Sequence, residues 1–105
     1  MKILFDQGTP VPLRRFLPQH EVDTAAENGW STAQNGDLLK LAESNGYELL
    51  VTTDQNLRYQ QNLTSRRIGI VVLMKTSWPR IRQRVPEIIA AIERGAGGAY
   101  AEVDV

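Results

Sequence analysis

Ile68-Gly69-Ile70-Val71-Val72-Leu73 is the most apolar run in the chain. A strand with one wet face alternates polar and apolar residues, whereas one covered by helices on both sides reads as continuous apolar sequence. The run is therefore expected to be a central strand buried on both faces. Such a strand belongs in an α/β protein with a largely parallel sheet.

The sequence on either side extends this pattern. Upstream, Lys2 to Phe5 is a short apolar run ending in Asp6, followed by the turn signal Gln7-Gly8-Thr9-Pro10. Pro10 and Pro12 suit the approach to a short helix, because a proline in the first turn loses a hydrogen bond that is absent anyway. Leu13, Phe16 and Leu17 share one face of that helix, and Pro18 stops it. His20 to Thr24 alternates weakly and is heavily charged, as expected at a sheet edge. Residues 27–34 read as a loop containing Trp30. Asn35 looks like the cap of a helix running to about Ser44, with Leu38, Leu39, Leu41 and Ala42 turned inward and Asn45-Gly46 as its stop. Leu49 to Thr53 is a buried strand ending at Asp54, and Gln55 to Asn62 reads as a short helix or turn.

Downstream, Ser77-Trp78-Pro79 opens a helix with the stripe Ile81, Val85, Ile88, Ile89 and Ile92. Pro86 predicts a kink or restart within it. Gly95 to Gly98 ends it, and Ala99 to Val105 alternates as an edge strand does. Strands and helices thus alternate, which predicts a three-layer α/β/α sandwich around a mostly parallel sheet of about five strands. The 105 residues suit one domain, residues 1–105.

Composition excludes several classes of function. With no cysteine, disulfides, thiolate metal sites and a cysteine nucleophile are ruled out. No apolar run approaches the ~20 residues that span a bilayer, so no membrane association is expected. The opening Met1-Lys2-Ile3-Leu4-Phe5-Asp6 is interrupted too soon for a signal peptide, and the cytoplasm is the default location. Net charge is zero but uneven. No acid lies between Asp54 and Glu87, a stretch carrying Arg58, Arg66, Arg67, Lys75, Arg80, Arg82 and Arg84. Asymmetry of this kind marks either an electropositive face for a polyanion or a set of solvated arginines.

In open α/β sheets, ligands bind beyond the carboxyl ends of the strands. Two apolar strands here end directly in an aspartate, Asp6 and Asp54. Asp37 sits in the first turn of a helix that begins at the same edge if it runs antiparallel to the strands. Read singly, each carboxylate caps a turn or answers a helix dipole. Read jointly, the three form a candidate site whose mutual repulsion a cation relieves, and all-oxygen ligands favour Mg²⁺ or Mn²⁺. The basic segment from Arg58 to Arg84 is then expected to hold a nucleic-acid backbone. Thr52 and Thr53 are placed to hydrogen-bond a metal-bound water or a phosphate there, although strand propensity explains threonine at these positions equally well. His20 is expected to play a structural or surface role, and Trp30 and Trp78 to pack rather than to serve as base-stacking platforms.

Met-Lys-Ile-Leu-Phe-Asp-Gln at 1–7, His20-Glu21-Val22, Trp30, Asn35-Gly36-Asp37-Leu38-Leu39 and Leu50-Val51-Thr52-Thr53-Asp54-Gln55-Asn56 occur in this order. In this series the chain resembles the short PIN-like proteins, the DUF5615 or Mut7-C-like group, over roughly residues 1–75. The resemblance implies a PIN-type fold and a Mg²⁺- or Mn²⁺-dependent ribonuclease, of the kind that serves as the toxin of a toxin–antitoxin pair. It also implies catalytic roles for Asp6, Asp37 and Asp54, with Asn56 joining them around the metal. Thr53, Arg58, Arg66 and Arg67 are the expected substrate contacts. RNA, an antitoxin protein and a second copy of the chain are the expected partners. Two positions depart from the group: Gln7 replaces an acid after the first Asp, and Asn56 replaces the second Asp of a Thr-x-Asp-x-Asp pattern. Asn still offers an oxygen but removes negative charge, which weakens metal affinity.

Two other readings stand beside this one. A phosphoacceptor domain like the response-regulator receivers also places an Asp at a strand end, although Lys75 falls one strand too early. A non-catalytic PIN-like module would act only by binding a partner, for which the last strand offers an edge.

Overall fold

The computed structural model describes residues 1–33, 35–55, 57, 67–95 and 98–105. Its strands are β1 (Lys2–Phe5), β2 (Glu21–Thr24), β3 (Leu49–Thr52), β4 (Gly69–Leu73) and β5 (Tyr100–Val103). They form one five-stranded sheet in the order β2-β1-β3-β4-β5, and every pairing is parallel. A 3₁₀ helix covers Val11–Phe16, with α1 at Asn35–Ser44, α2 at Trp78–Arg82 and α3 at Val85–Arg94.

Alternation along the strands builds two cores. Ile3, Phe5, Leu49, Val51, Val71 and Leu73 point to one face, where they meet Leu13, Leu17, Ile81, Ile88 and Ile92. Leu4, Leu50, Ile70 and Val72 point to the other and meet Leu38, Leu39 and Ala42 of α1. Successive residues of a strand face opposite ways, so both sides of β3 and β4 are sealed and all their residues are buried. The result is a three-layer α/β/α sandwich.

Local chemistry sets the element ends. Gly46 takes a positive φ of 82° just after α1, where a left-handed residue closes a helix. Pro86 restarts the chain at the head of α3, separated from α2 by residues 83–84. The first helical segment is 3₁₀ rather than α, and Phe16, expected to turn inward, remains 37% exposed. Gly69 opens β4 beneath the end of α3, and a Cβ there would collide with the carbonyl of Gly95. Among the described residues no helix is long and apolar enough to cross a membrane.

Strand order carries a functional consequence. The chain leaves β1 towards β2 and then crosses back to β3, so the direction of winding reverses between β1 and β3. At such a switch point the carboxyl ends of the two strands leave a crevice.

Candidate functional site

Asp6 and Asp54 follow the two strands that border this crevice. The β1–β3 ladder continues one step past Phe5, with the Asp6 N–H donating to the Val51 carbonyl at 3.0 Å. The Asp6 side chain then gathers polar groups from both strands. Its Oδ1 accepts from the Gly8 N–H at 3.1 Å and from the Thr9 hydroxyl at 2.7 Å. Its Oδ2 accepts a short hydrogen bond from the Thr52 hydroxyl. The Gly8 contact closes an Asx turn, and it needs glycine: a Cβ on Gly8 would strike the Thr53 hydroxyl. Thr9 also lies 2.8 Å from the Val51 carbonyl, so its single proton is shared between two acceptors.

Thr52 links the two aspartates. Its hydroxyl donates to Asp6 and accepts the Asp54 N–H at 3.0 Å. At 1% exposure it has no access to substrate. Its expected contact with water or phosphate is therefore replaced by a scaffolding role. Thr53 and Asp54 are half-buried at the same edge.

Asp37 lies in the first turn of α1 and is exposed. Because α1 leads to the start of β3, its first turn belongs to the carboxyl end of the sheet and its last to the amino end. The fold thus brings Asp6, Asp37 and Asp54 to one end, but it does not gather them tightly. Among the described residues, no three His, Asp or Glu side chains form a group able to hold a metal ion. Asn56, Arg58 and Arg66 lie outside the described residues.

Arg67 is placed elsewhere. It precedes β4, and its N–H donates to Glu43 Oε2 at 3.2 Å beside the end of α1. That is the amino end of the sheet, so Arg67 does not join the carboxylates; β4 runs between them.

A hard cation fits the donor set in type and only sparsely in number. Ionised carboxylates have about four acceptor positions, and three donors already meet that of Asp6. One direction remains for a ligand. Asp54 and Asp37 add oxygens with partial or full solvent access, which suits Mg²⁺ or Mn²⁺ with several retained waters. The hydrogen bonds that Thr9 and Thr52 donate to Asp6 were not expected from the sequence; the spacing Asp-x-Gly-Thr after an apolar strand was the available signal.

The remaining polar clusters are structural in geometry. Thr24 and Glu27 exchange hydrogen bonds, N–H to Oε1 at 2.9 Å and N–H to Oγ1 at 3.1 Å, as a capping box after β2. The Thr24 N–H and Arg14, at 3.1 Å, lower the pKa of Glu27 below the usual carboxylate value. At the amino end the Tyr47 hydroxyl donates to Asp23 at 2.6 Å and accepts from Asn28 at 2.7 Å. Burial, with that bond to Asp23, raises the Tyr47 pKa. Lys2 Nζ caps the Asn45 carbonyl at 2.7 Å and lies 4.4 Å from the centre of the Tyr47 ring.

Two clefts open away from the aspartates. One of about 230 Å³ lies at the amino end among Glu43, Tyr47, Glu48 and Arg67. The other, of about 220 Å³, lies between the 3₁₀ helix and α3 and is lined by Phe16, His20, Ile89 and Glu93. Two glutamates flank the first, which disfavours a phosphate there. Protein-family models, curated proteins and solved structures give no match to this chain.

Proposed function

We propose that the chain is a Mg²⁺- or Mn²⁺-dependent ribonuclease of PIN type, working at the carboxyl end of β1 and β3. One observation carries the proposal: Asp6 and Asp54 end adjacent parallel strands at the point where the sheet's winding reverses. In this reading Asp6 and Asp54 hold the ion, and Asp37 reaches the same end from α1. The Gly8, Thr9 and Thr52 donors fix the Asp6 carboxylate in place. A bound divalent ion would activate water and offset the charge that develops on a phosphodiester. The resemblance to the short PIN-like proteins adds the role of a cytoplasmic toxin held by an antitoxin. An RNA cleavage assay across a Mn²⁺ titration tests this, comparing the parent chain with Asp6→Asn and Asp54→Asn. Metal-dependent cleavage lost in both variants supports the enzyme. Cleavage indifferent to both substitutions removes the site.

A second reading is favoured by the satisfied state of Asp6. Three donors from the protein already meet this carboxylate, as in a purely structural turn. A non-catalytic module that binds a partner protein would need nothing more from it. Such a module would show no cleavage at any Mn²⁺ concentration, while Asp6→Asn would still lower its stability.

A further inference from the structure

Val11 and Phe16 are the large hydrophobic side chains left exposed among the described residues, at 50% and 37%. Single exposed apolar residues require no special cause, but Phe16 is not single. Its ring lies 6.0 Å from that of Trp78, centroid to centroid, with the planes inclined by 44°. Trp78 is half-buried. The two rings therefore form an aromatic surface where the 3₁₀ helix meets α2.

Cations surround it. Arg15 adjoins Phe16, and α2 carries Arg80 and Arg82 beyond Trp78, all three exposed. Arg82 stands four residues after Trp78 and so lies on the same side of the helix, whereas Arg80, two residues after it, faces the other way. Arg14 and Arg84 are matched by Glu27 and Glu87. Among the described residues no ion pair holds Arg15, Lys75, Arg80 or Arg82. Glu93, in the cleft beside Phe16, marks the acidic border of the patch.

The patch also connects with the aspartates. Lys75, exposed, lies on the segment from β4 to α2. The same segment is tied to the loop after Asp54, where Gln55 Nε2 donates to the Met74 carbonyl at 2.7 Å. Along the 3₁₀ helix, Val11 and Phe16 stand about 10 Å apart at ~2 Å per residue. A polyanion leaving the Asp6–Asp54 edge thus meets Lys75, then the rings and arginines.

We infer that Phe16 and Trp78 are a base-stacking platform for single-stranded RNA, with Arg15 and Arg82 on its phosphates. Stackable rings flanked by guanidinium groups match the base–phosphate alternation of an open strand, whose bases, unlike those of a duplex, are free to stack. The inference rests on the RNA reading above for its ligand, and not on the metal or on cleavage.

Binding of a ten-nucleotide oligouridine in EDTA tests it without turnover. Trp30→Phe leaves Trp78 as the sole tryptophan of two, so its emission reports contact. The expected result is quenching of Trp78 on addition of the oligonucleotide. Phe16→Ala, with an unchanged circular dichroism spectrum, should weaken binding by about 5- to 150-fold, while Phe16→Tyr retains it. Arg82→Gln should reduce the slope of log affinity against log salt by about 0.7. Absence of quenching, or an affinity indifferent to Phe16→Ala, overturns the platform. Tighter quenching by a glutamate-rich peptide than by oligouridine also overturns it, in favour of an acidic protein ligand. Binding in EDTA with no RNA cleavage across the Mn²⁺ titration defeats the nuclease reading alone. Cleavage with an unaltered KM in Phe16→Ala defeats the platform alone.

Discussion

The two ends of the sheet use similar polar side chains to opposite effect. At the carboxyl end, groups from two strands converge on one carboxylate: Gly8, Thr9 and Thr52 all donate to Asp6. Asp54 hangs from the same Thr52 hydroxyl through its backbone N–H. At the amino end the groups engage one another and close: Tyr47 with Asp23 and Asn28, Lys2 with Asn45, Arg67 with Glu43. Convergent donors hold one charged group in a fixed position. Closed pairs staple a loop and leave nothing to react. The difference teaches where to expect loss of activity and where to expect loss of stability alone.

The most disruptive substitution should be Gly69→Ala, at the amino end. Its Cβ would meet the backbone carbonyl of Gly95, which cannot rotate away as a side chain can. Overpacking of this kind costs about 1–3 kcal/mol or more, read as a lower urea midpoint. Any surviving folded protein should keep its specific activity.

Asp6→Ala comes next, at the carboxyl end. It strands the Gly8 N–H and the buried Thr52 hydroxyl, while Thr9, also buried, keeps the Val51 carbonyl, and should cost about 1–3 kcal/mol. Unlike Gly69→Ala, it should abolish metal-dependent cleavage in the protein that remains folded. Tyr47→Phe removes one hydroxyl from the amino-end network and should cost about 1 kcal/mol in urea denaturation, with cleavage unchanged.

Two pH effects sharpen the contrast further. The folded-state pKa of Glu27 is depressed, so its contribution is present above the ordinary glutamate range and is lost as pH falls through the folded value. Stability measured from pH 7 to pH 3 should therefore fall less steeply in Glu27→Gln than in the parent. The folded-state pKa of Tyr47 is raised. Its contribution is full below the ordinary tyrosine value near 10 and is lost as pH rises through the higher folded value. The smallest stability effect belongs to Asp37→Asn, an exposed side chain, at within about 0.5 kcal/mol. If Asp37 serves the site, that near-silent change should still lower cleavage.

Much of this architecture is written in hydrophobic runs. Ile70 to Leu73 and Leu49 to Val51 lack alternation because helices cover both faces, and that feature alone implies the parallel sheet. Pro86 announced the restart at α3. The common edge of Asp6 and Asp54 was legible too, since both directly follow apolar strands. What the pattern did not carry was contact across distance in the chain. Arg67 and Lys75 belong to one basic stretch in sequence, yet β4 crosses the sheet between them and sets them at opposite ends. Thr9 and Thr52 are separated by most of two βα units, and only the pairing of β1 with β3 brings their hydroxyls to one carboxylate. Phe16 was expected inward by helical spacing, but it stays exposed and meets Trp78, some sixty positions on.

Crystals soaked in Mn²⁺, with the ion located by its anomalous scattering, give the most direct test of a metal site at the switch point. The expected result is one ion bridging Asp6 and Asp54 at about 2.1 Å from a carboxylate oxygen of each, absent from Asp54→Asn crystals. An ion bound only among Glu43 and Glu48 at the amino end, or none beside Asp6 at saturating Mn²⁺, would contradict it.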